Sequence, residues 1–280
     1  MQKILILLLS LVLLTGCTGK PTFRTEITEQ IASVMQTVPV ELNVGYEHLS
    51  NNTYGWGLKK NKNAPPEVPT EIVELITAKG GIYKDNEPKT LYLTFDEGYE
   101  NGYTAQILDV LKRQNVPAAF FVTGPYLKKE KELIQRMVDE GHIVGNHTVN
   151  HPSMPSVKSA EKLKKEITDL ADAFYEQTGQ TMRFFRPPMG EYSERTLAIT
   201  QELGYTTVFW SFAYRDWETN AQKGREYAYK QITEGVHDGA VLLLHAVSRD
   251  NAEALEQVIT DLKATGYQFR SFEDFGNGAS

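Results

Sequence analysis

The chain has 280 residues, 41% hydrophobic and 23% charged, the proportions of an ordinary globular protein. A net charge of −7 offers no basic face for nucleic-acid phosphates, so a nucleic-acid partner is not expected. One cysteine excludes an intramolecular disulfide, thiolate zinc sites and, given its position, a cysteine nucleophile.

That cysteine closes the first recognisable segment. Met1 to Lys3 is a short basic start, and Ile4 to Leu14 is an apolar run broken only by Ser10. This is the layout of a secretory signal, too short for a bilayer span of roughly 20 apolar residues. Leu14-Thr15-Gly16-Cys17 resembles a bacterial lipobox, whose cysteine is acylated and becomes the new N-terminus. Residues 1–16 are therefore expected to be a lipoprotein signal peptide. Lipidated Cys17 would hold the mature protein on the outer face of a bacterial membrane. Residues 17–87 are dense in Pro, Gly and Asn and predict an irregular extension, with one helix over Glu67–Lys79.

From Thr90 the pattern becomes regular. Strands are predicted over 90–95, 118–122, 142–146, 183–185, 206–210, 240–244 and 267–269. Helices are predicted over 105–114, 130–140, 160–177, 193–203, 225–236 and 252–263. About seven βα units imply a parallel sheet covered by helices. No Gly-rich phosphate loop is present, which favours an α/β barrel over an open dinucleotide-binding sheet. Working residues of such barrels stand at the C-terminal ends of strands.

Titratable residues collect at those ends. Asp96-Glu97-Gly98 follows the first strand, Asn146-His147 and then His151 the third, and Arg186-Pro187-Pro188-Met189-Gly190 the fourth. Asp216-Trp217 and His245 follow the fifth and sixth. Two histidines and a carboxylate suit zinc or a similar divalent ion. Taken singly, each has a plainer reading. The carboxylates could cap the next helix, Arg186 could be an ion-pair partner, and His48, His142 and His237 are read as structural. Their joint occurrence at one end of the sheet favours chemistry.

Thr94-Phe95-Asp96-Glu97-Gly98, His147-Thr148-Val149-Asn150-His151, Arg186-Pro187-Pro188, Asp216-Trp217 and Leu244-His245 occur in the order of five family motifs. They resemble those of the NodB-like polysaccharide deacetylases, carbohydrate esterase family 4, over about residues 88–272. Gly98–Thr104, Lys223–Tyr229 and Val247–Leu255, with Trp56-Gly57 and Pro65-Pro66, are most similar to the delta-lactam-biosynthetic deacetylases of the spore cortex. The resemblance implies a distorted (β/α)7-type barrel as catalytic domain, with 273–280 as a tail.

It also implies a mechanism. A divalent metal, zinc first with cobalt or manganese as alternatives, would be held by His147, His151 and Glu97. Asp96 would be the general base toward the attacking water, oriented by Arg186. His245, oriented and kept cationic by Asp216, would protonate the departing sugar nitrogen. The Met189 backbone N–H would meet the oxyanion, and Trp217 would pack beneath the site. The implied substrate is peptidoglycan, most closely its N-acetylmuramic acid, acted on by a monomer.

Two positions depart from the family pattern. Glu97 stands where the family has aspartate and the cortex branch asparagine, and its extra methylene moves the carboxylate by about 1.5 Å. Met189 replaces an aromatic or basic residue, which leaves selectivity between muramic acid and N-acetylglucosamine (in peptidoglycan or chitooligosaccharides) open. A non-catalytic glycan-binding lipoprotein and a phosphoester hydrolase are the remaining readings. Retention of Asp96, Arg186, Asp216 and His245 argues against the first, and a single clear cation against the second.

Overall fold

In the computed structural model, residues 45–59, 61–62 and 64–276 are described; Cys17 and the signal-like segment lie outside them. In chain order the elements are β1 (Tyr54–Gly55), α1 (Thr70–Ala78), β2 (Thr90–Glu97), α2 (Thr104–Gln114), β3 (Ala118–Val122), α3 (Gly124–Lys129) and α4 (Lys131–Asp139). Then come β4 (Ile143–Asn146), α5 (Ala160–Thr178), β5 (Phe184–Phe185), β6 (Glu191–Tyr192), α6 (Glu194–Glu202), β7 (Thr206–Thr207) and β8 (Phe212–Ala213). The chain ends with α7 (Arg225–Thr233), β9 (Ala240–His245), α8 (Arg249–Ala264) and β10 (Gln268–Phe269).

Seven parallel strands in the order β7-β5-β4-β3-β2-β9-β8 curl into a half-barrel. β10 pairs with the first two residues of β2, below the point where β3 begins. Every residue of β2 is buried, as a strand covered on both faces requires. Leu91, Leu93 and Phe95 face the helix layer and pack with Ile107, Leu111 and Leu255. Tyr92, Thr94 and Asp96 point the other way, where Tyr92 joins Phe121, Val208 and Val241.

Several boundaries differ from the sequence expectation. β2 runs through Glu97, so Asp96 and Glu97 still obey the pleat and fall on opposite faces. The helix expected over 130–140 is α4, and it is preceded by a short helix not expected from the sequence, α3, which Gly124-Pro125 starts soon after β3. The strand expected over 206–210 is only Thr206–Thr207. At Ser211 the chain switches partners, its N–H donating to Val241 O while its hydroxyl accepts the Val241 N–H. α8 starts three residues early because the Ser248 hydroxyl accepts the Asn251 N–H as an N-cap.

The described part of the N-terminal extension is built into this frame. β1 pairs antiparallel with β6, Trp56 is buried against Phe209 and Tyr83, and Ile82 bridges to Val208. No helix among the described residues is long and apolar enough to cross a membrane.

Candidate active site

Asp96 and His245 are register partners on β2 and β9, at the C-terminal ends of adjacent strands. Both line a cavity of about 510 Å³, with His147, His151, Met189 and Trp217 around it.

Asp96 is held from below. Arg186, fully buried, donates from Nη1 to Asp96 Oδ1 at 2.7 Å and to Thr94 Oγ1 at 2.8 Å, and from Nε to Val208 O at 3.2 Å. Its guanidinium also lies 4.1 Å from the Phe121 ring. Burial alone would raise the Asp96 pKa, but Arg186, His147 and His245 outweigh it and hold the carboxyl below its ordinary value.

His245 shows the opposite balance. Burial would lower it, yet buried Asp216 raises it above its ordinary value: Oδ1 lies 2.7 Å from Nδ1, and Oδ2 accepts the His245 backbone N–H at 2.8 Å. A carboxyl shifted toward its ionised form and an imidazole shifted toward its protonated form therefore face one cavity.

The loop after β4 shapes the two other histidines. Asn146 accepts the Thr148 N–H and donates to Ile167 O, Thr148 and His151 take left-handed φ of 68° and 55°, and Thr148 Oγ1 accepts the His151 N–H. Asn150 donates twice to Glu166, pinning the loop on α5. His147 Nδ1 lies 2.8 Å from Arg186 O, which assigns its proton to Nδ1 and leaves Nε2 a lone pair, 3.5 Å from Asp96. Burial pushes the His147 pKa down to about 4, so this ring is neutral at pH 7. His151 is shifted down as well, by partial desolvation, and its ring lies 4.8 Å from that of His147.

The two imidazoles of His147 and His151 offer nitrogen donors suited to a divalent cation, the outer hydrogen bond orienting His147 as metal-bound histidines require. Glu97 does not join them. It lies on the helix-side face of β2 with both oxygens buried and unpartnered, and burial, then Glu100 and Asp96, raise its pKa well above the carboxylate range. Among the described residues, no group of three or more His, Cys, Asp or Glu is arranged to hold a metal. When bound, a divalent ion supplies Lewis-acid polarisation and a stronger water nucleophile.

Met189 lines the cavity with φ 58° and an exposed side chain. Trp217, expected beneath the site, stands instead at its rim, half exposed and edge-on to His245 with centroids 5.5 Å apart. His142 and His237 sit at the opposite ends of their strands, each with a backbone partner.

Four contributors were not foreseen. Thr94 could have been found, being two residues before Asp96 and so on the same face. Asn251, behind Asp216, and Trp56, behind Gly190, fall in segments that carry the closer family resemblance but have no local signal of these contacts, and Tyr214, which holds Asn251, has no signal at all.

The polysaccharide deacetylase family model matches residues 83–208, and that of the prokaryotic membrane lipoprotein lipid attachment site matches residues 1–18. The peptidoglycan-N-acetylmuramic acid deacetylase PdaA of Bacillus subtilis is 48% identical over 231 residues, 81% of this chain and 88% of that protein. The solved structure of Bacillus subtilis PdaA, a family 4 carbohydrate esterase, aligns with TM-score 0.79 at 46% identity, covering 81% of this chain and 98% of that one. A family 4 carbohydrate esterase from Bacillus anthracis aligns with TM-score 0.69 at 44% identity, covering 81% and 97%.

Proposed function

We infer the function from the family: this chain belongs to the polysaccharide deacetylases of carbohydrate esterase family 4, and its substrate is the N-acetylmuramic acid of peptidoglycan. The observation that carries the chemistry is the opposed tuning of Asp96 and His245 across one cavity. Asp96, ionised and braced by Arg186, accepts the proton of the attacking water. The Met189 N–H, which meets no acceptor among the described residues, donates to the oxyanion. His245 then delivers its proton to the sugar nitrogen, because an unprotonated amine is a poor leaving group, and Asp216 stabilises the imidazolium until that moment. A positioned acid or base contributes roughly 10²–10⁴ in rate and one oxyanion donor roughly 10²–10³, so amide hydrolysis needs them together. His147 and His151 hold the divalent metal, zinc by preference, with cobalt or manganese able to replace it.

Recognition of a sugar is supported by the rim. Five large apolar side chains are exposed among the described residues, and three of them, Tyr99, Met189 and Trp217, surround this cavity. Flat aromatic surfaces of this kind suit the apolar faces of pyranose rings.

The muramic assignment is supported by the 48% identical relative. One observation favours N-acetylglucosamine as a second reading: among the described residues no lysine or arginine lines the cavity to meet a lactyl carboxylate. The deciding experiment treats peptide-stripped peptidoglycan with the enzyme, with and without chelator, and weighs the fragments. Chelator-sensitive loss of one acetyl per muramic residue supports the first reading. Loss from glucosamine supports the second, and no loss with any divalent metal leaves a glycan-binding protein. The protein works outside the cell on peptidoglycan strands as a monomer, tethered through acylated Cys17; the lipid attachment match supports the tether. A role in spore cortex formation follows if muramic acid is the substrate.

A further inference from the structure

Residues Ser50 to Trp56 lie far upstream of the catalytic motifs, yet they are laced along the segment that follows Met189. Ser50 O accepts the Arg195 N–H at 3.1 Å, and Asn51 Oδ1 accepts the Ser193 hydroxyl at 2.9 Å. β1 pairs with β6, whose first residue follows Gly190 directly. Trp56 completes the contact: its N–H donates to Gly190 O at 2.9 Å and its indole Nε1 to Trp210 O at 2.8 Å.

Gly190 is thereby gripped between the Trp210 indole and the Cβ and backbone of Trp56. A Cβ there would lie 2.7 Å from the Trp210 ring and 3.2 Å from Trp56 Cβ. The turn it belongs to is strained, since Met189 takes φ 58° and ψ 7°, a region residues with a Cβ avoid. Its own side chain cannot hold it there, being 56% exposed. What holds it is the backbone of Gly190, which donates to Pro187 O at 3.0 Å and accepts from Trp56.

We propose that Ser50–Trp56 is a positioning clamp: it keeps the Met189–Gly190 turn left-handed, so that the Met189 N–H faces the acetyl oxygen as charge develops. This rests on the reading of Met189 as the oxyanion donor. It gives the N-terminal segment a part in turnover, with Trp56 as a positioning residue that never touches substrate. A donor shifted off its line stabilises the ground state little less but the transition state much less, so kcat falls and KM does not.

The test compares the wild-type chain with Trp56→Phe, which keeps a buried ring but loses the indole donor, and with Trp56→Ala. Hydrogen–deuterium exchange of peptides spanning 186–193, the thermal midpoint, kcat and KM are measured on each. The expected result for Trp56→Phe is a folded protein with faster exchange in that peptide, kcat lower by about tenfold and KM within twofold. The Ala variant should lose more in both exchange protection and kcat. Unchanged exchange, or unchanged kcat in folded variants, overturns the clamp, as does a fall in kcat that only mirrors the unfolded fraction. Wild-type enzyme that releases no acetate overturns the deacetylase reading instead, while the exchange result still judges the clamp.

Discussion

Asn251 Nδ2 donates to Asp216 Oδ2 at 2.6 Å, while the other oxygen of that carboxylate holds His245 Nδ1 at 2.7 Å. The Tyr214 hydroxyl donates to Asn251 Oδ1 and so fixes which way the amide faces. A hydrogen bond to a charged group is worth about 1.5–3 kcal/mol. Asn251→Ala should therefore lower kcat/KM by about tenfold or somewhat more. Loosening Asp216 also lowers the His245 pKa, so the alkaline limb of the pH profile should move to lower pH. An alkaline limb that stays in place would show that Asn251 only supports the fold.

Arg186 should set the acid limb. The folded-state pKa of Asp96 is depressed, so its ionised form stabilises the fold above the unfolded carboxylate pKa of about 4 and loses that effect as pH falls through the folded value. Arg186→Met removes the strongest opposing charge and leaves burial to raise the pKa. The acid limb of kcat/KM should move up. Stability at pH 7 should drop by about 3–5 kcal/mol, the cost of a buried charge without its partner. Denaturant unfolding and a pH–rate profile of the variant check both parts.

Glu97 and His147 should respond differently to substitution. Glu97 has two buried oxygens without partners, so Glu97→Met should stabilise the metal-free chain by about 1–3 kcal/mol. Zinc affinity, read by competition with a chromophoric chelator, should change less than threefold. His147→Ala should weaken it more than a hundredfold, since one of two imidazoles is lost. A tenfold or greater loss of affinity in Glu97→Met would make Glu97 a ligand after all.

Cys17→Ser should move the protein from the membrane fraction to the culture medium without changing the specific activity of the soluble domain. A single acyl chain already binds membranes only marginally, so losing the whole anchor should be decisive. Unchanged membrane association would refute acylation.

The strand ends were legible because buried parallel strands read as apolar runs, and the polar residues just beyond them stand out. Asp96, His147, His151 and His245 were visible on that ground, and the structure gathers them at one cavity. The orientation of Glu97 was not, because ending the strand at Phe95 hides that the pleat continues through Asp96 and Glu97. The break between β7 and β8 was equally hidden. Thr206 to Trp210 has strand composition throughout, and only a hydrogen-bond switch at Ser211 divides it. Trp56 and Asn251 act across long sequence separations, through contacts that no local pattern encodes.

Asp96 and His245 stand one rung apart on neighbouring strands, so their separation is fixed by sheet geometry, with strands about 4.8 Å apart. That spacing suits the two proton transfers proposed for them, one from the attacking water and one to the leaving nitrogen on the same acetyl carbon. It owes nothing to the loops bearing Tyr99, Met189 and Trp217, whose exposed side chains line the same cavity. Selection can therefore rewrite which glycan is accepted by altering loops alone, while the reaction itself is inherited unchanged with the backbone.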